Sequence, residues 1–151
     1  MIELEDIIKE WSDEVINRIR LNLDSTGTTA SGKTKDSLEM IWTSNGFAIV
    51  GRQYFRSVEE GRTAGGAPRN FVGILEKWIQ DKGLTRPSEF KTDRSWAGAI
   101  AYNITHFGSR LYRNGGRDDI YTVVIDEELP KLFEQIEGKV TQTIIKDLNF
   151  N

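Results

Sequence analysis

Residues 38–50 read LEMIWTSNGFAIV, and this stretch decides the fold class. Leu38 to Thr43 and Phe47 to Val50 are short apolar runs on either side of Ser44-Asn45-Gly46. Asn-Gly favours the positive φ angles of a tight turn, so the two runs predict a β-hairpin. The strongest patterns on either side of it are helical. A hairpin set among amphipathic helices is neither a helix bundle nor an alternating strand–helix fold, and it points to an α+β domain.

Upstream, Leu4, Ile7, Ile8, Trp11, Val15, Ile19 and Leu23 recur at three- and four-residue steps with charges between them. This spacing predicts an amphipathic helix over roughly residues 3–23, which Asp24-Ser-Thr-Gly-Thr-Thr-Ala-Ser-Gly32 then breaks. Downstream, Phe71, Ile74, Leu75, Trp78 and Ile79 mark a second helix ending at Gly83. Leu84 to Arg94 is polar, contains Pro87 and reads as a loop. Ala97, Ile100, Ala101, Ile104 and Phe107 mark a third helix, capped by Asp93 or Ser95 and stopped at Gly108. Ile120 to Ile125 is β-branched and short, which predicts a third strand. Asp126 then caps a last amphipathic helix through Leu129, Phe133, Ile136, Val140, Ile144 and Leu148, with Pro130 near its first turn. The expected architecture is therefore one domain over residues 1–151. Its N- and C-terminal helices pack on a small antiparallel sheet, with two further helices between them. Flexible loops are expected at about 24–36, 61–70, 84–94 and 108–119.

Composition narrows the functional classes. A chain of 151 residues with 7 Phe, 4 Tyr and 4 Trp can bury a real core. The absence of cysteine removes disulfides, thiol catalysis and cysteine-bound zinc, and it fits a reducing compartment. The acidic start MIELEDIIKEW lacks the basic, then apolar, pattern of a secretory signal, and no apolar run approaches membrane-spanning length. The net charge of −3 conceals a pattern: residues 1–24 carry three basic and seven acidic groups, and residues 126–151 carry three and six. The middle carries fourteen basic and ten acidic. Acidic ends bracket a basic centre, an arrangement that suits complementary contacts between copies.

Gly27-Thr-Thr-Ala-Ser-Gly32-Lys33-Thr34 matches the phosphate-binding loop pattern G-x-x-x-x-G-K-T. In that role Lys33 would reach phosphate oxygens, Thr34 would bind Mg²⁺, and Asp126 at the end of Val123-Val-Ile125 would complete the site. The loop must leave a buried strand and open a helix. Here it follows the best amphipathic helix and leads to a hairpin, so the linker reading is preferred and no cofactor is expected. His106 is the only histidine and lies beside Phe107, a structural setting. With no second histidine and no cysteine there is no metal-ligand cluster. Glu59-Glu60 and Asp118-Asp119 are sequence neighbours and not pre-paired for acid–base work, and they read as solvated acids or partners for nearby arginines. No catalytic set emerges, and an enzyme is not expected. The helices on either side of Gly83, followed by Arg110, Arg113 and Arg117, loosely suggest a nucleic-acid-binding module. The connecting loop is too long for a helix-turn-helix, and the pI near 5.3 is unfavourable.

What remains is the pair of Gly-Arg loops, Glu60-Gly-Arg-Thr-Ala-Gly-Gly-Ala-Pro68 and Gly108-Ser-Arg-Leu-Tyr-Arg-Asn-Gly-Gly-Arg117. Cationic and rich in donors, they suit contact with another surface. Arg52, Tyr54, Glu59, Arg62, Arg69, Arg110 and Arg113 are the candidate subunit or partner contacts, since arginine and tyrosine carry interface energy disproportionately.

The chain also resembles the neck or tail-completion proteins of tailed bacteriophages, the head–tail connectors and minor tail components that join portal to tail. The resemblance is carried by Thr26-Gly-Thr-Thr-Ala-Ser-Gly-Lys-Thr-Lys-Asp-Ser37 before the hairpin and by Gly51-Arg52-Gln-Tyr54-Phe55 after it. It continues in Val58-Glu-Glu60-Gly61-Arg62, Ala67-Pro68, Trp78-Ile79 with Lys82-Gly83-Leu84, and Ala99-Ile-Ala101-Tyr-Asn-Ile104 leading to Phe107-Gly108. Thr63-Ala64 stand where that family usually has a proline after Gly-Arg. The resemblance implies a virion structural protein, assembled in the host cytoplasm and set in many copies as a homo-oligomeric ring in the neck. It implies portal or adaptor proteins and tail proteins as partners, non-specific contact with DNA in the channel, and no membrane. Ring closure needs a head-to-tail contact between unlike patches.

Overall fold

The computed structural model describes residues 3–149. Four long helices, three single-turn helices and one hairpin follow in the order α1 (Leu4–Ser25), α2 (Lys33–Asp36), β1 (Glu39–Thr43), β2 (Gly46–Val50), α3 (Ser57–Glu60), α4 (Phe71–Lys82), α5 (Asp93–Phe107), α6 (Arg110–Arg113) and α7 (Thr122–Leu148). The fold is α+β, with the terminal helices packed on a two-stranded antiparallel sheet.

The principal core lies between α1, α7 and the hairpin. Trp11, Val15, Ile16, Ile19 and Leu23 of α1 close on Leu38 and on Ile120, Val124 and Leu132. Met40, Phe47 and Ile49 of the hairpin pack over them. The register pairs Met40 with Ile49 and Trp42 with Phe47, so alternate residues share the face toward α1. Trp11 meets the Phe47 ring edge-on with centroids 5.9 Å apart. The turn differs from the expected one. It is centred on Ser44-Asn45, neither of which has positive φ, and Gly46 with φ 150° opens β2.

Polar side chains lock α1 antiparallel to α7. The Trp11 indole N–H donates to the Glu128 carbonyl at 2.8 Å, and the Asn22 amide donates to the Ile120 carbonyl at 2.9 Å. Arg18 reaches Glu127 at 2.5 Å and also pairs with Glu128, whose carboxylate is 3% exposed and takes Lys131 at 2.7 Å. These cations hold the Glu128 carboxyl below the usual carboxylate range, Lys131 contributing most.

A second, smaller core joins α4 and α5 through Phe71, Leu75, Ile79, Ala97 and Ala101. The small side chains of Ala97 and Ala101 permit a close approach of the two helices. Thr92, rather than Asp93 or Ser95, caps α5, its hydroxyl accepting the Ser95 N–H at 3.1 Å.

The predicted third strand is not formed. Tyr121 is the N-cap of α7, and the β-branched run continues as helix with Ile120 and Val124, four residues apart, both fully buried. Asp126 therefore lies within α7, not at its cap, and Pro130 is the ninth helical residue. Its ring faces the exposed side, where the missing N–H costs α7 one backbone bond.

Candidate interface groove

Hydrogen bonds join the two Gly-Arg segments. They pack on each other. The Ser109 N–H donates to the Arg62 carbonyl at 2.8 Å, and the Arg62 N–H donates to the Ser109 hydroxyl at 2.9 Å. The Gly65 N–H reaches the Thr105 carbonyl at 2.9 Å, and the Arg117 N–H reaches the Glu59 carbonyl at 2.8 Å. The glycines make this possible. A Cβ on Gly61, whose φ is 75°, would sit 2.3 Å from the Tyr112 backbone nitrogen. Composition cannot encode such backbone pairing.

Glu59 was expected at an interface and is instead internal, with 2% of its surface exposed. Its Oε1 accepts the backbone N–H groups of Ile120, Tyr121 and Thr122 at 2.9, 2.6 and 3.0 Å, and its Oε2 accepts the Thr122 hydroxyl at 2.5 Å. The carboxylate satisfies donors that begin a helix and opposes the positive end of the α7 dipole. It is a structural anchor.

The other candidate contacts remain on the surface, and the fold separates them into groups. Arg62, Arg110 and Arg113 line one groove of about 820 Å³ between α4, α5 and α6. Its walls are Ile74, Trp78, Trp96, Ile100, Ile104 and Leu111. Among the described residues no acidic one lines it. Arg62 lies over the Phe71 ring at 4.6 Å, and its guanidinium donates to the Gly66 carbonyl at 2.8 Å. Arg52 and Tyr54 line a different cleft of about 510 Å³ with residues 28–35 and Lys77, Trp78 and Asp81 of α4. Arg69 is exposed and lines neither. Among the described residues none of Arg52, Arg62, Arg69, Arg110 and Arg113 has a carboxylate partner. The remaining arginines, apart from Arg20, are ion-paired. Arg20 donates to the Lys35 and Leu38 carbonyls at 3.2 and 3.0 Å.

The groove itself escaped sequence reading. Trp96, Ile100 and Ile104 repeat at four-residue steps, one stripe over from the Ala97 and Ala101 face that packs on α4. That double stripe was the available signal, since a helix buried on one side only needs one.

The residues of the rival readings fall elsewhere. The Gly27–Thr34 segment emerges from α1, not from a strand, and opens a single helical turn. Lys33 is exposed there, Lys35 is tied to Asp24 at 2.9 Å, and Asp126 lies exposed on α7. Arg117, grouped in sequence with Arg110 and Arg113, is held by Asp119 through bonds of 2.5 and 2.7 Å. The pairing raises the guanidinium and holds the Asp119 carboxyl below its ordinary range. His106 stacks on Tyr102 with ring centroids 4.0 Å apart, and its Nδ1 lies 2.8 Å from the Tyr102 carbonyl. Among the described residues no helix is long and apolar enough to cross a membrane. Compared with protein families, curated proteins and solved structures, the chain gave no match.

Proposed function

We propose that this chain is a self-assembling structural subunit, a ring-forming neck or tail-adaptor protein that joins portal to tail in a tailed bacteriophage. It acts through binding geometry and not through turnover. The observation that supports assembly is the groove of α4, α5 and α6, where an apolar floor is rimmed by Arg62, Arg110 and Arg113 with no carboxylate partner among the described residues. Desolvated aromatic floors with arginine at the edge are the composition of interface hot spots. The virion setting rests on the resemblance of most of residues 2–147 to phage neck proteins.

The partners that follow are further copies of the chain and the portal-side and tail-side proteins of the particle. Purified tailed particles of the phage whose genome encodes this chain test the reading. Mass spectrometry is expected to find the chain in multiple copies, and electron microscopy to place it as a ring at the neck. Particles that lack it would overturn the assignment.

A further inference from the structure

We propose that the groove of α4, α5 and α6 receives the outer half of α7 from a neighbouring copy, as a head-to-tail contact. The inference rests on the reading that the chain self-assembles, and it names the surfaces that do so.

Helix α7 outlasts the body it packs on. Its antiparallel pairing with α1 brings Ile120 to Asn22, Glu127 to Arg18 and Glu128 to Trp11. Leu132 is its last buried residue, and from Val140 to the end of the described chain every residue is exposed. This outer half is not polar. Phe133, Val140, Ile144 and Leu148 are 60%, 47%, 53% and 69% exposed. At about 100° per residue they fall within an arc of roughly 80°, one continuous stripe. A solvated helix has no need of such a stripe, and apolar patches of this kind mark contact surfaces.

The groove matches it in shape class and in charge. Two packed helices, α4 and α5, present Trp78, Trp96, Ile100 and Ile104 along one side, where a third helix can lie in ridges-into-grooves contact. Three arginines rim it, and among the described residues no acid lines it. The outer half of α7 carries Glu134, Glu137 and Asp147 against Lys139 and Lys146, a net charge of −1, and none of the three acids has a basic partner among the described residues. Uncompensated acids on one surface and uncompensated arginines on the other favour this pairing. An α7-on-α7 pairing would instead bring together two outer halves that each carry three acidic and two basic residues. Because the two patches differ, the contact is heterologous and propagates into a ring or filament.

The absence of cysteine makes a clean test. Ile144→Cys and Asn103→Cys, both at exposed positions, are purified separately, mixed, and joined with a short flexible bis-maleimide. Cross-linked dimers are expected from the mixture and a ladder of higher species from the double variant. Three results would overturn the proposal. One is dimers from Ile144→Cys alone in preference to the mixture, which indicates α7-on-α7 pairing. Another is an internal link in monomeric double variant, which indicates that the groove takes its own helix. The third is no cross-link in any mixture. In parallel, Ile144→Asp should weaken self-association by roughly ten-fold or more while leaving thermal unfolding unchanged at a concentration where the chain is monomeric. Unaltered association would also overturn the contact. Failure of the phage reading is seen separately, in the protein content of particles. The ladder can form in a chain that no particle contains, and a virion ring can form without it.

Discussion

Glu59 and Ile120 stand 61 positions apart in sequence, yet the Glu59 carboxylate accepts the Ile120 backbone N–H at 2.9 Å inside the protein. Neighbouring bonds from Tyr121, Thr122 and the Thr122 hydroxyl complete a buried clasp. One side chain from a single-turn helix thus sets where the longest helix begins. It also ties the segment that carries Arg62 to the segment that carries Arg110 and Arg113.

Removing the clasp should be costly. Glu59→Ala leaves three N–H groups and a hydroxyl without an acceptor, for an expected loss of about 3 kcal/mol in urea unfolding. Glu59→Gln keeps one acceptor oxygen and should lose about half as much. Amide exchange at Ile120–Thr122 should quicken in both. Unchanged exchange would show that the carboxylate does not start the helix.

Gly61 should not tolerate a side chain. Its φ of 75° and the Tyr112 nitrogen 2.3 Å from a built Cβ give Gly61→Ala both backbone strain and a backbone collision. An expected cost of about 2–4 kcal/mol follows. Gly65→Ala, also at positive φ but with open space around it, should cost less. Equal Tm values for the two variants would remove the close approach as the reason for Gly61.

Acid should loosen the pairing of α1 with α7. Lys131 and then Arg18 hold the folded Glu128 carboxyl below its ordinary value. A depressed carboxylate contributes stability that is complete above the unfolded pKa, about 4.3. That contribution is lost as pH falls from about 5 through the lower folded value. Unfolding free energy measured between pH 7 and pH 3 should therefore fall more steeply for the native chain than for Glu128→Gln. Parallel curves would count against the ion-paired role of Glu128.

The outer half of α7 should matter little to the monomer. Ending the chain after Lys139 removes only exposed residues among those described, and the unfolding free energy should stay within about 1 kcal/mol of the full chain at a concentration where it is monomeric. A larger loss would mean that this segment already stabilises its own subunit.

The α+β class, the hairpin near residues 38–50 and all four long helices are legible in the sequence, because each carries its own periodicity. The helix predicted over 3–23 spans Leu4–Ser25, and the one ending at Gly83 spans Phe71–Lys82. The start of α7 was not legible. Ile120 to Ile125 has strand composition, and its helix start depends on distant groups, the Glu59 carboxylate that accepts its N–H groups and the α1 core that buries Ile120 and Val124. The surface arginines were visible as residue types. Their division between the groove, the second cleft and an isolated loop position was not.

Local pattern, the spacing of apolar groups along the chain and the glycines and polar residues that interrupt it, determined the four long helices, the hairpin and the excess of arginine in the middle of the protein. Only tertiary structure decided that Glu59 is internal, that the two Gly-Arg segments clasp each other and that three arginines converge on one apolar groove. Those outcomes depend on contacts between residues tens of positions apart. Chain closure, and not sequence neighbourhood, sets which donors meet which acceptors.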